Sequence, residues 1–173
     1  ANPALAGLVS GAIGTGWIGR LDELRRLEEH ASDAGFRGRF AAVKKHNKTA
    51  LAALAADLTG YLVDPDTIFD VQVKRIHEYK RQLLGILHVV YLWVRLKEEP
   101  EFSCHPRTFF FAGKAAPDYE AAKLIIKLIC HAAEMINGDP ATRETLRIVF
   151  LPNYRVTLAE RIIPAADVSE QIS

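Results

Sequence analysis

The residues best suited to chemistry crowd into one stretch, Lys74-Arg75-Ile76-His77-Glu78-Tyr79-Lys80-Arg81. It holds four cations and one carboxylate, a formal charge of +3 in a chain whose net charge is +1, so the other 165 residues together carry −2. Cations concentrated in this way either form a solvated basic turn or bind an anion: the guanidinium presents a planar fork that matches a phosphate or carboxylate, and the lysine ammonium acts as a compact charge. Two shorter segments have weaker signals. In Ala112-Gly113-Lys114-Ala115-Ala116-Pro117 the glycine permits either close approach of a ligand or tight strand-to-helix packing. In Pro152-Asn153-Tyr154-Arg155 the phenol of Tyr154 either reaches a ligand or caps the core with its hydroxyl in water.

Other chemistries are excluded by the same inspection. No GxGxxG, Walker loop or HExxH occurs, and no Ser-His-Asp or Cys-His nucleophile set can be assembled. Cys104-His105 and Cys130-His131 are adjacent pairs, whereas structural zinc ligands stand two to four residues apart, so no metal site is expected. The two cysteines are read as reduced thiols of a cytoplasmic protein. A net charge of +1 argues against a global grip on nucleic acid or an anionic membrane, and no apolar run reaches the ~18 residues of a transmembrane helix. The start of the chain lacks the basic residues of a secretion signal.

These segments need elements to position them. The 173 residues, 49% hydrophobic and 25% charged, have enough apolar material for one core. Residues 1–65 read as a helical lead-in, with an amphipathic helix through Leu21, Leu24 and Leu27 and a longer one over 36–59. Its apolar stripe is Phe36, Phe40, Val43, Asn47, Leu51, Leu54 and Leu58, and Lys44, Lys45 and Lys48 are expected on a solvated face rather than in an anion patch. Residues 66–173 read as three strand-helix units. The β-rich runs are 68–73, 108–112 and 146–151, and the helices are 78–97, 117–136 and 156–163, the last ended by Pro164. The core sides are predicted as Leu83, Leu84, Leu87, Val90, Tyr91 and Val94 on the first of these helices, and as Ala121, Leu124, Ile125, Leu128 and Ile129 on the second. Helical crossovers of this length imply parallel strands and a doubly wound, Rossmann-like α/β sheet, whose ligands bind at the carboxyl ends of the strands. The basic stretch lies at one such end. Lys80 and Arg81 then fall in the first turn of a helix, where the macrodipole disfavours cations unless an anion sits there too.

The same residues resemble the α-glucan (glycogen or maltodextrin) phosphorylases. The resemblance is carried by the run from Phe69 to Leu84, by Gly113-Lys114-Ala115-Ala116-Pro117, by Asn153-Tyr154-Arg155-Val156, and by Ile163-Pro164-Ala165-Ala166-Asp167-Val168-Ser169-Glu170-Gln171-Ile172-Ser173. Asn2-Pro3 with Leu5-Ala6 fits in order before them, and Asp118 departs from the glycine common in the family at that place. The resemblance implies a glycosyltransferase that phosphorolyses terminal α-1,4 bonds of an α-glucan with inorganic phosphate. Glucose 1-phosphate is released with retention, and the phosphate group of pyridoxal 5′-phosphate works as proton shuttle. It implies Arg75 and Lys80 as the residues that bind and act on the substrate phosphate, Lys74 on the cofactor phosphate, and Tyr154 against the cofactor. His77 and Tyr79 would lie near the glucose, and Tyr119 near the cleft entrance. It further implies a single incomplete domain, the first half of the C-terminal domain of a glycosyltransferase B-type fold, in a parent enzyme that is a homodimer. The lysine that forms the cofactor's Schiff base follows this stretch in the family, so no covalent cofactor is expected here. The alternatives are a piece of a nucleotide-sugar glycosyltransferase without pyridoxal phosphate, and a non-enzymatic anion-binding or assembly module.

By itself the 173-residue chain is expected to perform no phosphorolysis. Glucose 1-phosphate released from maltoheptaose and phosphate, measured against a blank, would refute that expectation.

Overall fold

A computed structural model describes residues 2–172; Ala1 and Ser173, the last residue of the closing motif, lie outside the described residues. Helix α1 (Pro3–Ile13) starts where Asn2 caps it, its side-chain oxygen accepting from the Leu5 N–H at 3.2 Å, with proline at the first helical position. Next come a 3-10 turn over Gly16–Ile18 and a 3-10 helix over Leu21–His30. The amphipathic helix expected there is thus a tighter one that buries no residue, and Leu21 stays largely exposed. Helix α2 (Ala34–Thr59) begins at the Asp33 cap and ends at Gly60, whose φ of 77° takes the left-handed conformation that closes helices.

Four parallel strands follow: β1 (Ile68–Val73), β2 (Arg107–Ala112), β3 (Leu146–Leu151) and β4 (Val168–Ser169). They are ordered β3-β2-β1-β4, and β1, β2 and β3 pair in register along their whole length. The helices between them are α3 (Gln82–Glu98), α4 (Glu120–Gly138) and α5 (Val156–Ala165). Alternation along the strands builds two cores. Phe109, Phe111, Leu146 and Ile148 face α3 and α4, while Phe69, Val71, Phe110, Val149 and Leu151 face α2 and α5. The crossover therefore changes side between β1 and β4, which is where doubly wound sheets open a crevice.

Several expectations are corrected. β4 was not anticipated, because two exposed residues carry no alternation signal; it exists because the Asp167 and Glu170 N–H groups donate to Phe69 O and Val71 O. The predicted helix 78–97 is broken: a 3-10 turn over Glu78–Lys80 leads to Arg81 at φ 58°, and α3 starts after it. The core side of α3 is Gln82, Ile86 and Val89; Leu83, Leu84, Leu87 and Tyr91 are exposed. On α4, Ile125 and Ile129 are buried as expected, but Ala122, Ala132, Ala133 and Ile136 complete the face while Leu124 and Leu128 point away. Apolar residues occur around most of each helix, so periodicity alone leaves the inward phase undetermined. α4 starts at Glu120 rather than at Pro117, and Pro164 lies inside the last turn of α5 rather than after it.

The lysine face of α2 is also corrected. Lys48 is buried, donating to Thr67 O at 2.8 Å and to Asp167 Oδ2 at 2.6 Å, and that carboxylate oxygen also accepts from the Phe69 N–H. Lys44 donates to Pro164 O and Ala166 O. These ammonium groups tie α2 to the end of α5 and to the start of β4. Phe40 and Leu58, predicted on the apolar stripe, are half exposed instead.

The Lys48 ammonium is buried while Asp167 is partly exposed, and removing the ammonium leaves the buried Thr67 carbonyl without its donor. Lys48→Met is therefore expected to lower the unfolding free energy by about 1–3 kcal/mol in urea titrations. Lys45→Met, which removes the exposed pair with Asp66, is expected to change it by less than about 0.5 kcal/mol. Equal losses would contradict the assignment.

Candidate functional site

The segments leaving β1, β2 and β3 all emerge at one end of the sheet, and their backbones fix what happens there. The ladder between the first two continues past the strands: the Lys74 N–H donates to Ala112 O at 3.0 Å, and the Ile76 N–H donates to Lys114 O at 3.2 Å. Gly113 lies between these bonds. A Cβ there would collide with the Lys74 carbonyl oxygen and come within 2.8 Å of Ile76 Cδ1. This glycine is needed for close approach of the backbone leaving β1, a strand-to-strand contact rather than the strand-to-helix packing or ligand approach expected for it. At the end of β3, Asn153 turns the chain at φ 55°, a conformation asparagine tolerates better than most residues.

Within this frame Arg75, Lys114, Tyr154 and Arg155 line one cavity of about 690 Å³, with Val156, Ala159, Glu160, Ile163 and Pro164 of α5 as its other wall. Three cations thus face one carboxylate. Arg155 Nε donates to Thr157 Oγ1 at 2.8 Å. Among the described residues, no carboxylate pairs with Lys74, Arg75, Lys80, Arg81 or Lys114. Of these, Arg75 and Lys114 stand at the cavity without an acidic partner, an arrangement whose positive potential favours anions.

The other predicted residues occupy the far part of the turn. His77, Tyr79 and Tyr119 form an aromatic cluster, with the His77 ring 4.2 Å from the Tyr79 ring and 4.9 Å from the Tyr119 ring, centroid to centroid. Tyr119 is bound to Glu78 twice: its hydroxyl donates to the carboxylate at 2.5 Å and accepts from the backbone N–H at 3.2 Å. The bond to the Glu78 carboxylate is the main reason that the phenol is held above its ordinary pKa. Lys80 Nζ stands 5.6 Å from the centre of the Tyr79 ring. Lys74 and Lys80 are half-buried, and with His77 and Tyr79 they do not line the cavity shared by Arg75 and Tyr154. The structure therefore brings Arg75 and Tyr154 together and sets the remaining residues along the same turn.

Sequence reasoning undervalued Lys114 and Arg155 as wall residues. Their signal was position: each follows a buried strand by a few residues. It also passed over Gln72 and Gln82, two buried amides beneath the turn. Their signal was a glutamine within an otherwise apolar strand and another at the first position of a helix. Among the described residues no cluster of metal-binding side chains occurs, and no helix is long and apolar enough to cross a membrane.

Fold and cavity together define an α/β protein with a cation-lined cavity at the carboxyl ends of its parallel strands. The chain belongs to the carbohydrate phosphorylase family, whose model matches residues 1–173. It is 52% identical over 172 residues to a glycogen phosphorylase of Synechocystis sp., an alignment covering 99% of this chain and 20% of that protein. It is 52% identical over 173 residues to the glycogen phosphorylase of Bacillus subtilis, covering all of this chain and 22% of the relative. Against the muscle form of Oryctolagus cuniculus, the identity is 50% over 172 residues, covering 99% and 20%. The chain thus spans about a fifth of the length of the curated relatives it matches.

Gly113→Ala is expected to destabilise the fold by about 1–3 kcal/mol, because a backbone carbonyl must move to admit the methyl group. Urea denaturation checks this; Gly38→Ala, at a helical position with open space around it, serves as the contrast and is expected to be neutral or stabilising.

Proposed function

We propose that this chain supplies the phosphate-binding part of the active site of an α-glucan phosphorylase, as a portion of the domain that binds phosphate and cofactor. The observation that carries the reading is the cavity at the carboxyl ends of three parallel strands, walled by Arg75, Lys114 and Arg155 with Tyr154. Its support from relatives is the likeness to glycogen phosphorylases along the whole of this chain. The reaction transfers a terminal α-1,4-linked glucose from the glucan to inorganic phosphate, giving glucose 1-phosphate and a glucan one unit shorter.

In this reading Arg75 holds the substrate phosphate by paired N–H bonds, and Lys80 adds a second charge from the end of the turn. Lys74 and Tyr154 hold the phosphate and ring of pyridoxal 5′-phosphate, and His77 and Tyr79 border the glucose. The half-open cavity walled by Tyr154 fits such a group through the donors of Arg75, Lys114 and Arg155, with Lys74 on the adjoining turn outside its lining. When bound, the cofactor's phosphate supplies a proton donor and acceptor beside the substrate phosphate. The chain's own task is electrostatic: two phosphoryl groups repel at close range, and fixed cations offset that repulsion without reorganising during the reaction. The free thiols Cys104 and Cys130 support a reducing, cytoplasmic setting, and burial pushes both thiols above their ordinary pKa.

In the full-length phosphorylase carrying this sequence, Arg75→Ala and Lys80→Ala are each expected to lower kcat/KM for phosphate by roughly 10–100-fold, as for loss of a charge-assisted hydrogen bond. The KM for glucan is expected to change little. Unaltered rates at limiting phosphate would remove these residues from the site.

A further inference from the structure

We propose that the buried carboxamides of Gln82 and Gln72 are the positioning residues of the phosphate-binding turn. The inference rests on the phosphate-binding reading of that turn. Gln82 is fully buried at the start of α3, directly beneath the turn. Its Nε2 donates to Arg75 O at 3.1 Å, and its Oε1 accepts from the His77 N–H at 3.3 Å. The carboxamide is a neutral group with a donor and an acceptor side by side, so it holds two backbone sites of opposite sense at once. The residues it holds flank Ile76, whose side chain is itself buried. With the Ile76 N–H already bonded to Lys114 O, the peptides on either side of Ile76 cannot rotate without breaking bonds. This places Arg75 at the cavity wall and His77 against Tyr79 and Tyr119.

Gln72 braces the other end. It lies on the face of β1 toward α3, is 2% exposed, and donates from Nε2 to Lys80 O at 3.1 Å. Its Oε1 has no partner among the described residues. Burial of an unpaired oxygen works against stability, and the bond that the amide does make is to the basic turn. Room for it comes from Gly85, where a Cβ would meet Gln72 Oε1. Neither glutamine lines the cavity of Arg75 and Tyr154, so both act through the residues they hold.

The test is steady-state kinetics of the full-length phosphorylase carrying this sequence. Gln82→Met keeps the volume and removes both bonds. It is expected to raise the KM for phosphate about tenfold and to leave the KM for glucan within about twofold, as does Gln72→Met. Gln82→Glu can replace both bonds only while its carboxyl is protonated. The ratio of its phosphate KM to the parent's at the same pH is therefore expected to approach one at acid pH and to climb as pH rises, with the parent's own profile divided out. A phosphate KM within about twofold of the parent in Gln82→Met would overturn the proposal. So would a parallel rise of both KM values with a lowered Tm, the signature of a merely structural role. If Gln82→Met does not fold, the climb of that ratio in Gln82→Glu decides, and its absence overturns the proposal. Arg75→Ala separates this from the reading beneath it. If that variant leaves the phosphate KM unchanged, the turn does not bind phosphate; if it raises the KM and Gln82→Met does not, only the positioning role fails.

Discussion

The arrangement depends on the continued backbone pairing of β1 and β2 beyond the sheet. Parallel strands ordinarily diverge where their crossovers begin, but here two further bonds, Lys74 to Ala112 and Ile76 to Lys114, keep the exits side by side. That proximity is possible because Gly113 carries no Cβ. It fixes Arg75 and Lys114 as neighbours on one wall and leaves the loop after β3 to supply the other cation, Arg155, with Tyr154. The cost of assembling like charges is offset by backbone bonds and buried core rather than by acidic partners, which leaves the cations free to meet an anion.

The rest of the fold supports that edge. Two cores on opposite faces hold the strands, with Phe69 and Phe110 meeting edge to face at 4.9 Å on one side. Lys48 and Lys44 lock α2 onto the α5–β4 connection. The face of β1 toward α3 is less complete. Asp70 bonds to Arg107, but its second oxygen has no partner among the described residues. Burial, reinforced by Glu170, pushes its pKa up to about 6. The sign follows: with its folded pKa raised, Asp70 contributes stability at acid pH that is lost as pH rises toward and through 6.

The fold was legible in the strands and in the order of elements. The run Thr108 to Ala112 reads as a strand buried on both faces, and it is one. The carboxyl-end rule then pointed to the three segments that line the cavity. What stayed hidden was set by tertiary contact. The inward phase of α3 is chosen by Ile86 and Val89 against Phe109 and Phe111, not by the leucines that dominate its sequence. The break at Arg81 follows from the bonds that hold residues 75–80, which no local propensity encodes. Buried Lys48 looked like a surface lysine because its partners, Thr67 and Asp167, are far along the chain. The family resemblance, carried by whole motifs, implied site residues; the geometry joined only Arg75 and Tyr154 of them in one cavity.

The most direct measurement is a titration of the chain with inorganic phosphate, followed by backbone amide NMR shifts. The account predicts saturable shifts concentrated at residues 74–80, 113–114 and 154–156, abolished by Arg75→Ala. Shifts that are absent, or spread evenly over exposed lysines without saturation, would contradict it.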